Sequence, residues 1–349
     1  MTSRRTLVRA RGSGLIVVLW IIGILSLMVG SFAFDAHIEA RITSYYRKRT
    51  KASYLAKSGV EIARMLMDGS SEMARDQEKT AEDEEDAWYG QKLKLAEGLA
   101  IRGLTYELGE GAITLDIVPE PARRNVNLIN DPKHLDDWER ILEVGGIPEE
   151  LWPELTDSFF DWVDKDDEPR LNGAESEDYY ETLPDPYRAN NSGAIETVEE
   201  LLLVKGFTRT LLSGGALELE WMDEPIFVSG IGDLLTTYGD GKVNVNAATQ
   251  RVLMTLPGVD ELVARAILQE REGWVDETGE TEDASFGDVN DFLSRIPGME
   301  SGIRQYVSTD SKIYRITSVG TVHGVSREIW SIVRYAGKQM TILRWREEE

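Results

Sequence analysis

The sequence predicts an α+β protein: a long N-terminal helix packed on a small antiparallel sheet, with a large all-α domain inserted in that sheet. Three features predict it. An apolar stretch near the N-terminus runs without a break into a helical stripe. Segments of alternating polarity lie on both sides of a long middle section. That middle section reads as helices, and it is written twice.

The first element is the uncharged run SGLIVVLWIIGILSLMVGSFAF, Ser13 to Phe34. About twenty apolar residues at about 1.5 Å each span the hydrocarbon core of a bilayer. Arg4, Arg5, Arg9 and Arg11 precede it and favour a cytoplasmic N-terminus, although Arg41, Arg47, Lys48, Arg49 and Lys51 follow on the other side. Ser31-Phe32-Ala33 offers a small-x-small site, so a cleaved secretory signal is the alternative. Against it, the run exceeds the usual core of about 7–15 residues, and the chain continues as helix. From Asp35 to Met67 no proline intervenes, and Ile38, Ile42, Tyr45, Ala52, Ala56, Ala63 and Leu66 recur at helical steps. The stretch reads as one helix of roughly 80 Å whose outer half packs on a globular domain, with a free coiled coil as the alternative.

An acidic polar segment follows, with Glu82, Asp83, Glu84, Glu85 and Asp86 in succession, and reads as a solvated loop. AITLDIVPE (Ala112–Glu120) alternates as a half-buried strand does, and RNVNLI follows it after a proline turn. Near the C-terminus, SKIYRITSVGTVHGVSREIWSIVRY gives two strands around a hairpin signal at His323-Gly324. Between them lies the duplication. Val126–Asp164 parallels Val243–Glu272, each with an asparagine-rich entry, a helix, a glycine turn and a second helix. Thr197–Leu212 then parallels Asp288–Ile303. The asparagines are suited to cap the helices that follow them.

Composition excludes several functions. A net charge of −24 repels phosphate backbones unless a basic patch offsets it locally. No cysteine is present, so disulfides, thiolate nucleophiles and zinc ribbons are excluded. His37, His134 and His323 lie too far apart in the chain to suggest a zinc site. No Gly-x-Ser-x-Gly elbow or phosphate loop occurs, and carboxylate pairs mean little in so acidic a chain. The turn LPGVDELVARAILQERE (Leu256–Glu272) has the form of a DNA-gripping helix–hairpin–helix. It lacks the second glycine, however, and places Asp260 and Glu261 where phosphate would lie; the sister turn GGIPEE is acidic too. Both are read as packing units.

The densest oxygen-ligand cluster is DWVDKDDEPRLNGAESEDYYETLPD, Asp161 to Asp185. Asp157, Asp161 and Asp164 share a helical face, and Asn172-Gly173 turns the chain back towards Glu175, Glu177 and Asp178. Calcium takes about six to eight oxygens, which such a loop can supply, but the spacing is not that of an EF-hand. A solvated acidic loop and a cation site both fit the residues.

RARG followed by SGLIVVLWIIGIL resembles the leader and first helix of type IV pilin-like proteins, which prepilin peptidase cuts after a glycine. Cleavage after Gly12 would leave Ser13 first, with Gly14 a rival site; the fifth residue is then Val17, where most members have glutamate. Lack of that glutamate, WVDKDDEPRLNGAESEDYY and YRANNSGAIETVEELLLVKG together resemble K-type minor pseudopilins of type II secretion systems. The resemblance implies calcium held in the helical domain by Asp164, Asp166, Glu175, Glu177 and Asp178, with Asp167, Glu168 and carbonyls near Asn190 as further donors. It also implies a single-pass inner-membrane protein with a periplasmic globular part, at the tip of a short filament that helps export folded proteins. Its partners would be I- and J-type minor pseudopilins, the major pseudopilin and prepilin peptidase, with no nucleic acid and no enzymatic activity. On this reading the chain divides into a leader (1–12), transmembrane helix (13–34), periplasmic continuation (35–67), pilin-like sheet with acidic loop (68–128), inserted helical domain (129–308) and last strands with tail (309–349). The alternatives are a membrane-tethered DNA-uptake protein of competence type, using the helix–hairpin–helix modules, and a calcium-dependent secreted hydrolase.

Overall fold

The computed structural model describes residues 13–73, 88–219, 221–272 and 284–348. Gly12 and the acidic run 82–86 lie outside the described residues. Helix α1, Ser13–Met73, is continuous over 61 residues, six beyond the predicted end at Met67. Residues 14–47 are exposed along its whole circumference, and burial begins where the helix meets the sheet. Ala52, Ala56, Val60, Ala63, Leu66 and Met67 are then buried at three- and four-residue steps. Ile38, Ile42 and Tyr45 stay exposed, so the predicted stripe is covered only in its second half, because the helix overshoots the sheet.

The sheet has five antiparallel strands in chain order: β1 (Ile101–Leu108), β2 (Gly111–Pro119), β3 (Ile313–Val322), β4 (Val325–Ala336) and β5 (Gln339–Glu348). β3 alternates buried and half-buried without exception, the pattern of a strand covered on one face. Two hairpins turn through paired left-handed residues, His323 (φ 46°) with Gly324 (φ 79°) and Gly337 (φ 61°) with Lys338 (φ 66°). Helix and sheet touch at backbone distance. A Cβ on Gly320 would lie 2.1 Å from the Ala52 carbonyl oxygen and 2.6 Å from the Ala56 nitrogen. Glycine below and alanine above therefore set how closely α1 can settle. β1 carries no clear strand signal in the sequence and β5 reads there as tail; both are edge strands with weaker apolar alternation.

The chain leaves the sheet after β2 and returns at β3, so the insert spans 120–312, wider than the predicted 129–308. Its helices are α3 (Leu135–Gly145), α4 (Trp152–Val163), α5 (Arg209–Ser213), α6 (Gln250–Met254), α7 (Glu261–Glu272) and α8 (Val289–Arg295), with α2 (Tyr89–Ala96) preceding the sheet. Trp138 and Phe159, fully buried with ring centroids 4.7 Å apart, sit in a core separate from the one under α1. The insert is not wholly helical. Arg124–Asn125 pairs with Leu235–Thr236, Val243–Asn244 with Val307–Ser308, and Gly215–Leu217 with Ile226–Val228.

RNVNLI is not an extended strand: it gives two strand residues and then a 3-10 turn at Val126–Leu128. Asn125 accepts a hydrogen bond from the Asn127 amide and bends the chain there. Asn244 does the same to Asn246. This sets the duplication two residues away from the expected alignment, with Asn125-Val126-Asn127 matching Asn244-Val245-Asn246. The third residue of each triplet brackets one distant peptide. Asn127 accepts from the Ile195 amide at 2.8 Å and donates to its carbonyl at 2.9 Å; Asn246 does both to Phe286 at 2.9 Å. The asparagines thus join the two halves of each unit. The caps of α6, α5 and α8 are Thr249, Thr208 and Asp288 instead.

Candidate metal centre

Helix α4 presents Asp157 and Asp161 one turn apart, and Asp164 follows as its extended C-cap residue. The loop then folds back over them. Asp157 accepts from the backbone amide and side-chain amide of Asn172, at 3.2 and 3.0 Å. Asp161 accepts from the backbone amides of Arg170 and Ala174 at 3.0 and 2.9 Å. At Gly173 a Cβ would lie 1.8 Å from an Asp161 oxygen, so the loop can close this tightly only with glycine there. The Lys205 ammonium ties the turn from outside, donating to the carbonyls of Asn172 and Gly173.

This closure brings carboxylate oxygens of Asp161, Asp164 and Glu175 within 4.8 Å of one another. The Arg170 guanidinium lies against Asp161 and reaches Asp164 at 2.7 Å, so it neutralises part of the charge. Glu175 is left over. It is 1% exposed, and neither of its carboxylate oxygens has a hydrogen-bond partner. Asp164 Oδ1 and Asn191 Oδ1 are likewise buried without a partner. Asn191 adopts φ 45° and is held by its own amide on the Trp162 carbonyl, with its side-chain nitrogen directed at the Asp166 carbonyl and Asp167. Burial, then the charges of Asp164, Asp161 and Asp167, push the Glu175 carboxyl up to about 8. Burial also raises Asp161 and Asp164, against the opposing pull of Arg170.

Orphaned buried oxygens are costly, and four of them occur between Asp164 and Asn191. The donor types present fit calcium: Asp164, Glu175 and Asn191 each offer an oxygen without a hydrogen-bond partner. Of the five residues expected from sequence, Asp164 and Glu175 come together. Asp166, Glu177 and Asp178 are exposed and stand outside the cluster of three. Asp166 caps the Glu168 amide and Asp178 accepts from the Glu175 amide, so both shape the loop. Asp161 and Asn191 were not on that list. The helical spacing of Asp157, Asp161 and Asp164 pointed to the first; a left-handed asparagine has no comparable signature.

At the helix–hairpin–helix-like turn, Gly258 adopts φ 74° before α7. Asp260 accepts from the Val263 amide at 2.8 Å and so occupies a helix-start donor that a phosphate would need.

Residues 122–214, which contain the whole carboxylate loop, match the family model described as type II secretion system (T2SS), protein K. The type II secretion system protein K of Klebsiella pneumoniae is 32% identical over 126 residues, which cover 34% of this chain. The match spans 38% of that curated relative's length. Among solved structures, a chain of the GspK-GspI-GspJ complex from the enterotoxigenic Escherichia coli type 2 secretion system has a similar fold. The TM-score is 0.61 at 16% identity, covering 89% of this chain and 99% of that one.

Proposed function

We infer that this chain is a minor pseudopilin of the type II secretion system protein K family: an assembly subunit at the tip of the secretion pseudopilus that helps export folded proteins. One observation carries the reading beyond the family match. A single helix runs from a span with mean hydropathy 2.6 and nothing covering it into a half buried on a sheet. Such a helix suits a subunit that waits in the inner membrane and then joins a fibre through the same apolar surface. The globular part would lie in the periplasm. Removal of residues 1–12 by prepilin peptidase would leave Ser13 first, and with Val17 in the fifth place the subunit would carry no glutamate for a neighbour above it. The insert, folded out from between β2 and β3, adds bulk that would obstruct stacking of a further subunit, which favours the tip.

The partners would be I- and J-type minor pseudopilins, as in the complex whose chain shares this fold, and the major pseudopilin below them. Calcium would be held by Asp164, Glu175 and Asn191, with Asp161 and Arg170 balancing the loop. Bound there, it would neutralise Glu175 and hold the loop closed. The DNA-uptake alternative is not favoured, since the turn that would grip phosphate is capped by Asp260.

The test is the mature N-terminus. Mass spectrometry of the chain from membranes, produced together with a prepilin peptidase, should show a start at Ser13 and co-purification with I- and J-type partners. A product beginning near Phe34 and found free of membranes would sink the reading.

A further inference from the structure

The face of the sheet opposite α1 does not meet the insert flush. Between them lies a cleft of about 600 Å³, within the size range of ligand pockets. In a chain of net charge −24 its lining holds five arginines: Arg209, Arg251, Arg315, Arg344 and Arg346. Three have carboxylate partners. Arg315 forks onto the fully buried Glu120 at 2.7 and 2.9 Å, Arg251 bonds Asp233 at 2.6 Å, and Arg346 lies 3.6 Å from Glu348. Arg209 and Arg344 have no carboxylate partner among the described residues.

Arg344 is nevertheless held in place. The register puts Arg344 opposite Ile332, and Ile332 opposite Arg315, so all three share one face of the sheet. Trp330 stands on the same face, with the Arg315 guanidinium 5.0 Å and the Arg344 guanidinium 5.6 Å from its ring. An aromatic face fixes a guanidinium without consuming its N–H donors, whereas a carboxylate consumes them. Arg344 is therefore positioned and still free to bind. Arg209, exposed at the start of α5, supplies a second free fork from the insert side.

We propose that this cleft binds an acidic peptide segment, with Arg344 and Arg209 each taking a carboxylate. Two features favour a carboxylate over a phosphate. The cleft already accommodates carboxylates on guanidinium groups, on a two-nitrogen fork at Arg315 and on one nitrogen at Arg251. Glu199 also lines it, and repels a doubly charged phosphate more than a singly charged carboxylate. Hydroxyls of Thr197, Thr237 and Tyr238 on the insert side offer partners for a peptide backbone. The proposal goes beyond the secretion reading and does not need it.

The experiment is fluorescence anisotropy of a labelled hexaglutamate peptide titrated with the full chain in a nonionic detergent at low salt. Wild type should bind; R344Q and R209Q should each weaken binding about ten-fold or more, the worth of one charge-assisted hydrogen-bonded pair. R344K should also weaken it, because the planar fork is lost while the charge is kept. R140Q, outside the cleft, should leave it unchanged. Unaltered melting temperatures of the variants separate lost binding from lost folding. The proposal fails if hexaglutamate does not bind wild type, or binds the R209Q/R344Q double variant equally well. It also fails if inorganic phosphate or anionic phospholipid vesicles bind in an Arg344-dependent way and the peptide does not.

Discussion

Replacing Glu175 by glutamine removes one charge from the loop while keeping nearly the same shape. Burial and the charges of Asp164, Asp161 and Asp167 push the Glu175 carboxyl up to about 8, from an ordinary carboxylate value of 4.5. The folded state therefore binds the proton more tightly than the unfolded chain does. The associated stability is fully present below about pH 4.5 and is lost as pH rises through about 8. At about 1.4 kcal/mol per pH unit, that window corresponds to a few kcal/mol of folding free energy. At roughly 2–4 °C per kcal/mol for a domain of this size, melting should fall by on the order of 10 °C between pH 5.5 and pH 8.5. Calcium should reverse the loss at pH 8.5, because an ion that binds the folded state alone stabilises it by mass action. Glutamine cannot ionise, so E175Q should melt higher than metal-free wild type at pH 8.5, with a flatter pH profile and a smaller response to calcium. The assay is thermal unfolding by circular dichroism of the full chain in detergent, after passage over a chelating resin. Equal pH slopes for wild type and E175Q, or no calcium response of wild type at pH 8.5, would refute the reasoning.

Three further outcomes follow from the packing. Asn246 is buried and bonds the backbone of Phe286, Glu97 and Thr309, so N246A should lower stability by about 2–4 kcal/mol, read by denaturant unfolding. G320A drives a methyl group into the backbone of α1 and should cost more than G324A, where a Cβ meets nothing within 4 Å and only the left-handed φ opposes it, at about 1 kcal/mol. A gel-shift titration with duplex DNA at low salt should show no salt-sensitive complex, since Asp260 occupies the helix-start amide and the overall charge opposes binding.

The carboxylate loop shows where legibility stopped. Composition shows a dense carboxylate run, while Asp164 and Glu175 as ligands are what the family resemblance implies. Which oxygens converge was not legible, since Glu175 is buried by a turn that depends on Gly173 and on Lys205, thirty-two residues further along the chain. Asp166 and Asp178 carry the same chemistry in sequence, yet serve backbone amides two and three residues away. The cleft arginines were invisible for a similar reason: Arg209 and Arg344 lie far apart in sequence and on different lobes.

What the sequence determined by itself is whatever depends on local spacing. The apolar span, the helical stripe from Ala52 to Met67, the hairpin at His323-Gly324 and the duplicated units all follow from periodicity and turn chemistry acting over a few residues. Tertiary structure alone decided how far the sheet covers that stripe, which strands close its two edges, and that Asn127 and Asn246 staple distant peptides rather than cap helices. Those outcomes rest on contacts between residues tens to hundreds of positions apart. Their energies arise only once the chain has closed the loops between them.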